Sequence, residues 1–569
     1  MPTPLTATEP ADLDLSRPGT PASSAFGDIY FSVEGGLEES REVFIRGCGL
    51  HDRFGDGRTT VAETGFGTGL NFLATWQAFD ASDAWGRLHF TSIERYPLSR
   101  EQLATVLAPF REALGSRIDA LLGRWPGRVK GVHRLEFDHV TLDLWHLDVA
   151  DALAGMRLEA DAWFLDGFSP AKNAAMWSAD NLAHIAELSA PGARLATFTV
   201  AGAVRRALAD AGFTVERVEG FGRKRHRVEA HLPGSPPTQE SPSPIIVGAG
   251  IAGASVARAL LRDGVTPTVI AGPDHATTAA SANPAALVKP RLDKQDRPES
   301  RFFLQAWLLA KQLYDPAARG ITHLPKSDAE ADRFREICAN ASLPLEDMQF
   351  DDALHFPTAP VIDPVATCGG FLEGAVRKTG NITCWRHEGD LWQVLDGDTF
   401  IAEGTHLVLA SGLHLKAALP DLALRASRGQ LTWADADVGT PVTYGGYAIP
   451  WRGRTLLGAT HERLDDGDPY RLEPADDARN ASMFAAALER DAGDVAPARA
   501  SVRVNSADTL PIATEMEPGL WALTALGSRG FSHAPLLGSA IAAELLGAPV
   551  PLTATQSARL RADRGRGRS

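Results

Sequence analysis

Near the middle of the chain an apolar run, Ile245 to Val247, enters Gly248-Ala-Gly250-Ile-Ala-Gly253 and continues into small residues as far as Leu261. Three glycines at these offsets, between a short strand and a helix, have separate tasks. The first permits a tight turn, the second lets backbone approach a pyrophosphate, and the third lets helix pack closely on strand. The helix start then offers free N–H groups and its positive dipole end to phosphate. Such a motif opens a dinucleotide-binding fold. It follows the Pro- and Ser-rich run 233–242, so the preceding residues must stand as a separate domain.

A chain of 569 residues is long enough for both domains to bury cores of their own. The expected division is a disordered tail over 1–25, a first domain over 26–232, a linker over 233–243 and a second domain over 244–569. The tail has no apolar signal core, and no stretch is an uninterrupted membrane span, so a cytoplasmic protein without a membrane role is expected. Four scattered cysteines, Cys48, Cys338, Cys368 and Cys384, lack the spacing of a zinc site or a disulfide framework. No metal is expected.

The net charge of −15 is shared between the halves, with 24 Lys and Arg against 31 Asp and Glu in residues 1–235. Any polyanion must therefore be met by a local patch. Arg223-Lys224-Arg225, with His226 and Arg227 following and Arg205 and Arg206 upstream, is the candidate RNA contact. A solvated basic edge strand that blunts sheet pairing is the other reading.

In the first half, 28–45 mixes aromatics with Glu38 and Glu39, and reads either as a hairpin lining a site or as an amino-terminal cap. A strand at Thr59 to Ala62 then leads to Glu63-Thr-Gly65-Phe-Gly67-Thr-Gly69 and a helical run from Leu70. Glycine at alternate positions lets this loop bend tightly beneath a ligand, and the spacing suits an adenosine-type cofactor without a pyrophosphate. Glu94 closes the next strand, where a carboxylate can accept both ribose hydroxyl protons, and Asp148 closes a later one, within reach of an adenine edge.

Loop, Glu94 and Asp148 in this order resemble the S-adenosylmethionine site of the Rossmann-like methyltransferases. The strand at Asp161 to Leu165 then delivers Asp166, Phe168 and Pro170 to the carboxyl edge of the sheet. Amine methylation needs a neutral nitrogen lone pair, so a carboxylate that takes the N–H proton and an aromatic wall would serve as catalytic groups. Alternatively, Asp166 caps the following helix.

In the second half, the strand ending at Ile270 lacks the usual acidic terminus, with only Asp274 nearby, which weakens a nicotinamide reading. Asn283, in a small-residue turn, and the late turn Gly527-Ser528-Arg529-Gly530 before the last apolar helix offer contacts to the two ends of a long cofactor, which points to a flavin dinucleotide. Strand-rich sequence between them suggests an antiparallel substrate sheet inserted into the cofactor domain.

The Gly248 fingerprint, Arg428-Gly-Gln430, Gly458-Ala-Thr460 and the Gly527 turn resemble the D-amino-acid oxidase and glycine oxidase superfamily, which implies FAD and oxidation of an amine. The resemblance implies that Arg503 grips a substrate carboxylate, as a bidentate guanidinium can, and that Arg529 lies beside the flavin. A structural ion pair is the plainer role for Arg503; His461 and Lys289 fall near the implied site, and each reads equally well as a surface residue.

The whole order of parts resembles the bifunctional family that makes 5-methylaminomethyl-2-thiouridine in tRNA. It implies that the FAD domain converts a carboxymethylaminomethyl group on a wobble uridine to aminomethyl, and that the S-adenosylmethionine domain methylates that amine. One chain carrying both sites raises the local concentration of the intermediate. No obligate protein partner is evident. The rivals are a fused small-molecule amino-acid oxidase and amine methyltransferase without RNA, and a cofactor-binding scaffold without chemistry.

Overall fold

The computed structural model describes residues 8–17, 19–31, 35–222, 224–235, 241–339, 343–464 and 467–564. They form two compact units: one of residues 6–240 with 547–555, the other of 241–546 with 556–569 and the first five residues. No described helix is long and apolar enough to cross a membrane.

The first unit is built on eight strands: β1 (Arg58–Glu63), β2 (Arg87–Ile93), β3 (Gly131–Phe137), β4 (Val140–His146), β5 (Ala160–Phe164), β6 (Ser189–Thr197), β7 (Thr214–Glu219) and β8 (His226–His231). Their order is β7-β8-β6-β5-β1-β2-β4-β3. The central pairs β6-β5, β5-β1, β1-β2 and β2-β4 are parallel. Strand β1 is buried at every position after Arg58, as expected of a parallel strand covered on both faces. Helix α1 (Leu70–Asp80) leaves the glycine loop after β1, and α2 (Val149–Gly155) follows β4. The reversal of strand order falls between β1 and β5, which brings the loops after both to one edge of the sheet.

Two expectations change in this unit. Part of the stretch expected as a tail is ordered: residues 13–14 pair with 22–23, Ala11 joins the core, and the Thr8 amide donates to the Arg128 carbonyl. Nor is the basic run an edge strand. Strand β8 is paired on both sides, by β7 and by β6, and residues 220–225 form the connection at the β7–β8 end.

In the second unit, β9 (Pro244–Val247) pairs in parallel with β10 (Thr268–Ala271) on one side. On the other it pairs with β14 (His406–Leu409). Helix α3 (Ile251–Arg262) follows the fingerprint. The substrate sheet has ten strands and is mostly antiparallel. Those that matter for the site are β11 (Ala286–Leu287), β12 (Ala318–His323), β13 (Leu354–Ile362), β15 (Arg425–Ala434), β16 (Val442–Thr443), β17 (Tyr447–Trp451), β18 (Arg454–Gly458) and β19 (Val495–Asn505). The helix after the 527–530 turn, α4 (Gly530–Leu545), packs its apolar small residues against α3, and Gly538 allows the close approach: a Cβ there would lie 2.6 Å from the Ser255 carbonyl carbon.

Candidate active sites

In the first unit the glycine loop crosses over Glu94. The Gly67 amide donates to Glu94 Oε2 at 2.8 Å and the Tyr96 amide to Oε1 at 2.8 Å, so this carboxylate is fixed under the loop. Gly67 and Gly69 both have positive φ, 53° and 73°, conformations that glycine adopts without strain. A Cβ on Gly65 would lie 2.9 Å from the Asp166 carbonyl oxygen, so the loop rests against the β5 end. Asp148 caps α2 through the Ala150 amide and pairs with Arg95 at 2.7 Å, leaving its carboxylate half-exposed at the loop edge.

The Glu63 carboxylate is buried, with its residue 1% exposed, and both oxygens are engaged. Oε1 accepts from Asn71 Nδ2 at 2.8 Å and Oε2 meets Ser92 Oγ at 2.6 Å. Glu63, expected from sequence to belong to the cofactor loop, thus supports that loop from beneath. Burial, with the Asp166 charge adding to it, pushes its carboxyl up to about 8, so Glu63 keeps its proton at neutral pH.

Asn71 links this buried acid to the site. Ser40 Oγ donates to Asn71 Oδ1 at 2.6 Å, which turns both amide N–H groups toward the carboxylates, and Nδ2 also reaches Asp166 Oδ2 at 2.7 Å. Asp166 Oδ1 accepts from the Gly167 amide at 2.8 Å. Burial pushes the Asp166 carboxyl up to about 6, against the lowering effect of those two donors. It does not cap the next helix, Ala179–Glu187, whose cap is Ser178. Nothing local in the sequence marks Asn71 as part of this set; an asparagine in a first helical turn reads as ordinary.

Phe168 sits in an aromatic group. Phe26 stacks on it at 4.6 Å, Tyr30 meets it edge-on at 5.5 Å, and Tyr96 meets Phe26 at 5.9 Å. Asp28 holds the same loop through the Ser169 amide and Lys172. Among the described residues of the 28–45 segment, 28–29 are strand, paired antiparallel with 22–23, and helical turns begin at Gly36, so the segment lines the site without forming a hairpin within itself.

Arg223 lies outside the described residues. Lys224 does not extend freely into solvent; it pairs with Glu39 at 2.8 Å and lies 3.9 Å above the Phe198 ring, close enough to Asp166 to lower its carboxyl. Arg225 is exposed.

In the second unit a cavity of about 770 Å³ runs from the fingerprint to the substrate sheet, and is lined by Gly248, Gly250, Asn283, Gly527, Ser528, Arg529 and Gly530 among others. Gly253 is forced by packing, since a Cβ would lie 1.9 Å from the Gly248 carbonyl oxygen. Asn283 lines this cavity, and its Oδ1 is buried without a hydrogen-bond partner. The two glycine turns in the lining, the unsatisfied amide oxygen and the cavity volume fit a flavin dinucleotide.

Arg503, on β19, reaches the same cavity. It donates to the Thr460 carbonyl at 2.9 Å and to His461 Nε2 at 3.0 Å, and among the described residues it pairs with no carboxylate. The expected alternative, a structural ion pair, belongs instead to Arg428, which is fully buried and bound to Asp476 at 2.6 Å. Burial pushes His461 down to about 4, so it is a neutral acceptor for Arg503. Arg503 is half-buried, and a guanidinium held only by neutral partners keeps its charge available to an incoming carboxylate.

Family profiles match the chain twice: an S-adenosyl-L-methionine-dependent methyltransferase over residues 112–233 and an FAD dependent oxidoreductase over 245–544. A tRNA 5-methylaminomethyl-2-thiouridine biosynthesis bifunctional protein of Caulobacter vibrioides is 42% identical over 96% of both chains. A protein of the same name from Maricaulis maris is 40% identical over 96% of this chain and 94% of its own. Among solved structures, iminodiacetate oxidase from Chelativorans sp. BNC1 is 21% identical, with 54% of this chain and 96% of that one covered and a TM-score of 0.46, a likeness too distant to carry an inference.

Proposed function

The chain belongs to the family of tRNA 5-methylaminomethyl-2-thiouridine biosynthesis bifunctional proteins, and from that premise we propose how its residues divide the work. It modifies a wobble uridine of tRNA in two steps, with FAD and S-adenosylmethionine as its cofactors. The order of reactions is opposite to the order of domains. We assign methyl transfer to residues 26–232 and oxidation to 244–569, with 233–243 as linker and 547–555 grouped with the first unit.

The observation that carries the oxidative half is Arg503, a half-buried cation with no carboxylate partner among the described residues, on the wall of a cavity suited to a dinucleotide. It holds the carboxylate of the carboxymethylaminomethyl group and so presents the adjacent CH2–N bond for oxidation. Bound FAD supplies the two-electron acceptor; the imine left on the substrate hydrolyses to glyoxylate and a primary amine. Gly248, Gly250, Gly253, Asn283 and the 527–530 turn hold the cofactor in this reading.

In the methyl-transfer half, S-adenosylmethionine supplies the methyl group over the Gly65, Gly67 and Gly69 loop, with Glu94 and Asp148 as its polar contacts. Asp166 accepts a proton from the ammonium form of the substrate nitrogen, freeing its lone pair for methylation, and Phe168 forms an aromatic wall. Glu63 acts from behind, through Asn71. Arg225, with Arg223 and Lys224, contacts the tRNA backbone. A cytoplasmic location and action without an obligate protein partner complete the reading.

The test is selective arrest. Asp166→Ala accumulates aminomethyl-2-thiouridine from tRNA bearing the carboxymethylaminomethyl group, and Arg503→Met leaves the starting nucleoside unchanged but still methylates aminomethyl tRNA. Normal methylation by Asp166→Ala would overturn the assignment of the first site.

A further inference from the structure

Lys289 lies between β11 and the helix Pro298–Leu313, on a segment whose backbone is held from three sides. The Val288 amide donates to the Pro360 carbonyl, Trp307 Nε1 donates to the Val288 carbonyl at 2.9 Å, and Ser532 Oγ donates to the Lys289 carbonyl at 3.2 Å. The side chain has no such freedom to leave the cavity either. Lys289 Nζ lies 2.6 Å from His323 Nδ1 and 3.3 Å from Thr443 Oγ1, two residues that β12 and β16 place side by side in register. Both are neutral, since burial and nearby cations push His323 down to about 3.

The groups facing this amine come from every surrounding element. Arg529 precedes α4, Arg291 lies on the same segment, and Lys326, Glu330 and Arg333 come from the end of β12 and the helix after it. Tyr447, His461 and Arg503 line the same cavity. Glu330 is the only carboxylate among those that act on Lys289, and it forms no ion pair with it among the described residues. Burial first, and Arg529 next, therefore push the ammonium down to about 7. Of the nitrogen bases described in this cavity, Lys289 holds a proton more strongly than His323 and His461, which are pushed down to about 3 and 4, and it gives its proton up far more readily than the guanidinium groups of Arg503 and Arg529.

The chemistry of the substrate gives this amine a task. A secondary amine beside a carboxymethyl group is mainly an ammonium at neutral pH, and an ammonium has no lone pair to stabilise the developing imine. We propose that Lys289 is the proton acceptor for the substrate nitrogen in the oxidative half-reaction, an inference that rests on the functional reading above. The substrate N–H bond breaks with its electron pair left on nitrogen, a new N–H bond forms on Nζ, and no electrons leave the pair of molecules in this step. The cations Arg503 and Arg529 assist by disfavouring the ammonium form of the bound substrate. Arg503 holds the carboxylate, Lys289 takes the proton.

The experiment compares wild type, Lys289→Met and Lys289→Arg on carboxymethylaminomethyl tRNA across about pH 6 to 10, with flavin content measured for each. Wild type is expected to lose kcat/KM below about pH 7, where the lysine is protonated. Both variants are expected to fall about a hundredfold at neutral pH and to recover as the substrate amine loses its own proton at higher pH. Rescue by arginine, which retains charge but cannot accept a proton, or pH profiles parallel to wild type, would overturn the proposal. Binding of a carboxymethoxymethyl analogue, with oxygen in place of the amine, is followed by the change in flavin absorbance. Unaltered binding to Lys289→Met is expected, and weakened binding would make Lys289 a carboxylate anchor instead. If wild type itself leaves the nucleoside untouched, the functional reading fails, not the role of Lys289 alone.

Discussion

Replacing Asn71 by alanine separates the two acids that its amide joins. In the intact site Nδ2 donates to Glu63 Oε1 at 2.8 Å and to Asp166 Oδ2 at 2.7 Å, and the second bond helps hold the Asp166 carboxyl down at about 6 despite its burial. A hydrogen bond to a charged group contributes about 1.5–3 kcal/mol. At about 1.4 kcal/mol for each pH unit, its loss raises the Asp166 carboxyl by roughly one to two units. The ionised fraction at about pH 7 then falls from roughly ten-elevenths to between a half and a tenth. Methyl transfer at that pH falls about two- to tenfold, and the deficit closes as the pH is raised toward about 9. The assay is methylation of aminomethyl tRNA by full-length protein at saturating S-adenosylmethionine, with cofactor affinity measured alongside to confirm an intact loop. An acid limb that stays where wild type has it, with only the plateau lowered, would refute the relay from Glu63 through Asn71 to Asp166.

Other consequences can be measured separately. Asp166→Asn removes a carboxyl raised by burial, so the sign is fixed: the wild-type carboxylate destabilises the fold above its unfolded value near 3.8, increasingly up to about 6. The variant should gain about 3 kcal/mol at pH 8 and nothing near pH 3, by denaturant unfolding, while losing methyl transfer; equal stability at both pH values would argue against the buried carboxylate. Gly253→Ala places a Cβ 1.9 Å from the Gly248 carbonyl oxygen and should yield protein without flavin, judged by its visible absorbance; a normally loaded variant would contradict the close helix–turn packing. Arg225→Ala should lower tRNA affinity and reduce the salt slope by about 0.7–0.9, one phosphate contact, and an unchanged slope would remove Arg225 from the RNA surface.

The parts legible from sequence are those where local backbone geometry and chemistry coincide. The fingerprint at Gly248 and the loop at Gly65 to Gly69 require glycine for turns and close approach, whatever surrounds them. Asp166 was readable because it ends an apolar strand. The burial of Glu63 was not legible, because the partners that hold a carboxylate at a strand end, here Asn71 and Ser92, come from other elements. The basic run was visible as charge, but its place in a β7–β8 connection and the capture of Lys224 by Glu39 follow from strand pairing over long separations. The same holds for residues 547–555, which join the first unit through contacts such as Arg134 to the Pro549 carbonyl at 2.6 Å. Arg428 and Arg503 lie on paired strands and look alike as letters. Only the helix carrying Asp476 distinguishes the cation in a structural ion pair from the one without a carboxylate partner among the described residues.

Nucleoside mass spectrometry of tRNA bearing carboxymethylaminomethyl-2-thiouridine, incubated with the flavin-loaded protein with and without S-adenosylmethionine, tests the central claim most directly. The account predicts aminomethyl-2-thiouridine without the methyl donor and 5-methylaminomethyl-2-thiouridine with it. An unchanged nucleoside, alongside turnover of free glycine or sarcosine by the same preparation, would contradict it.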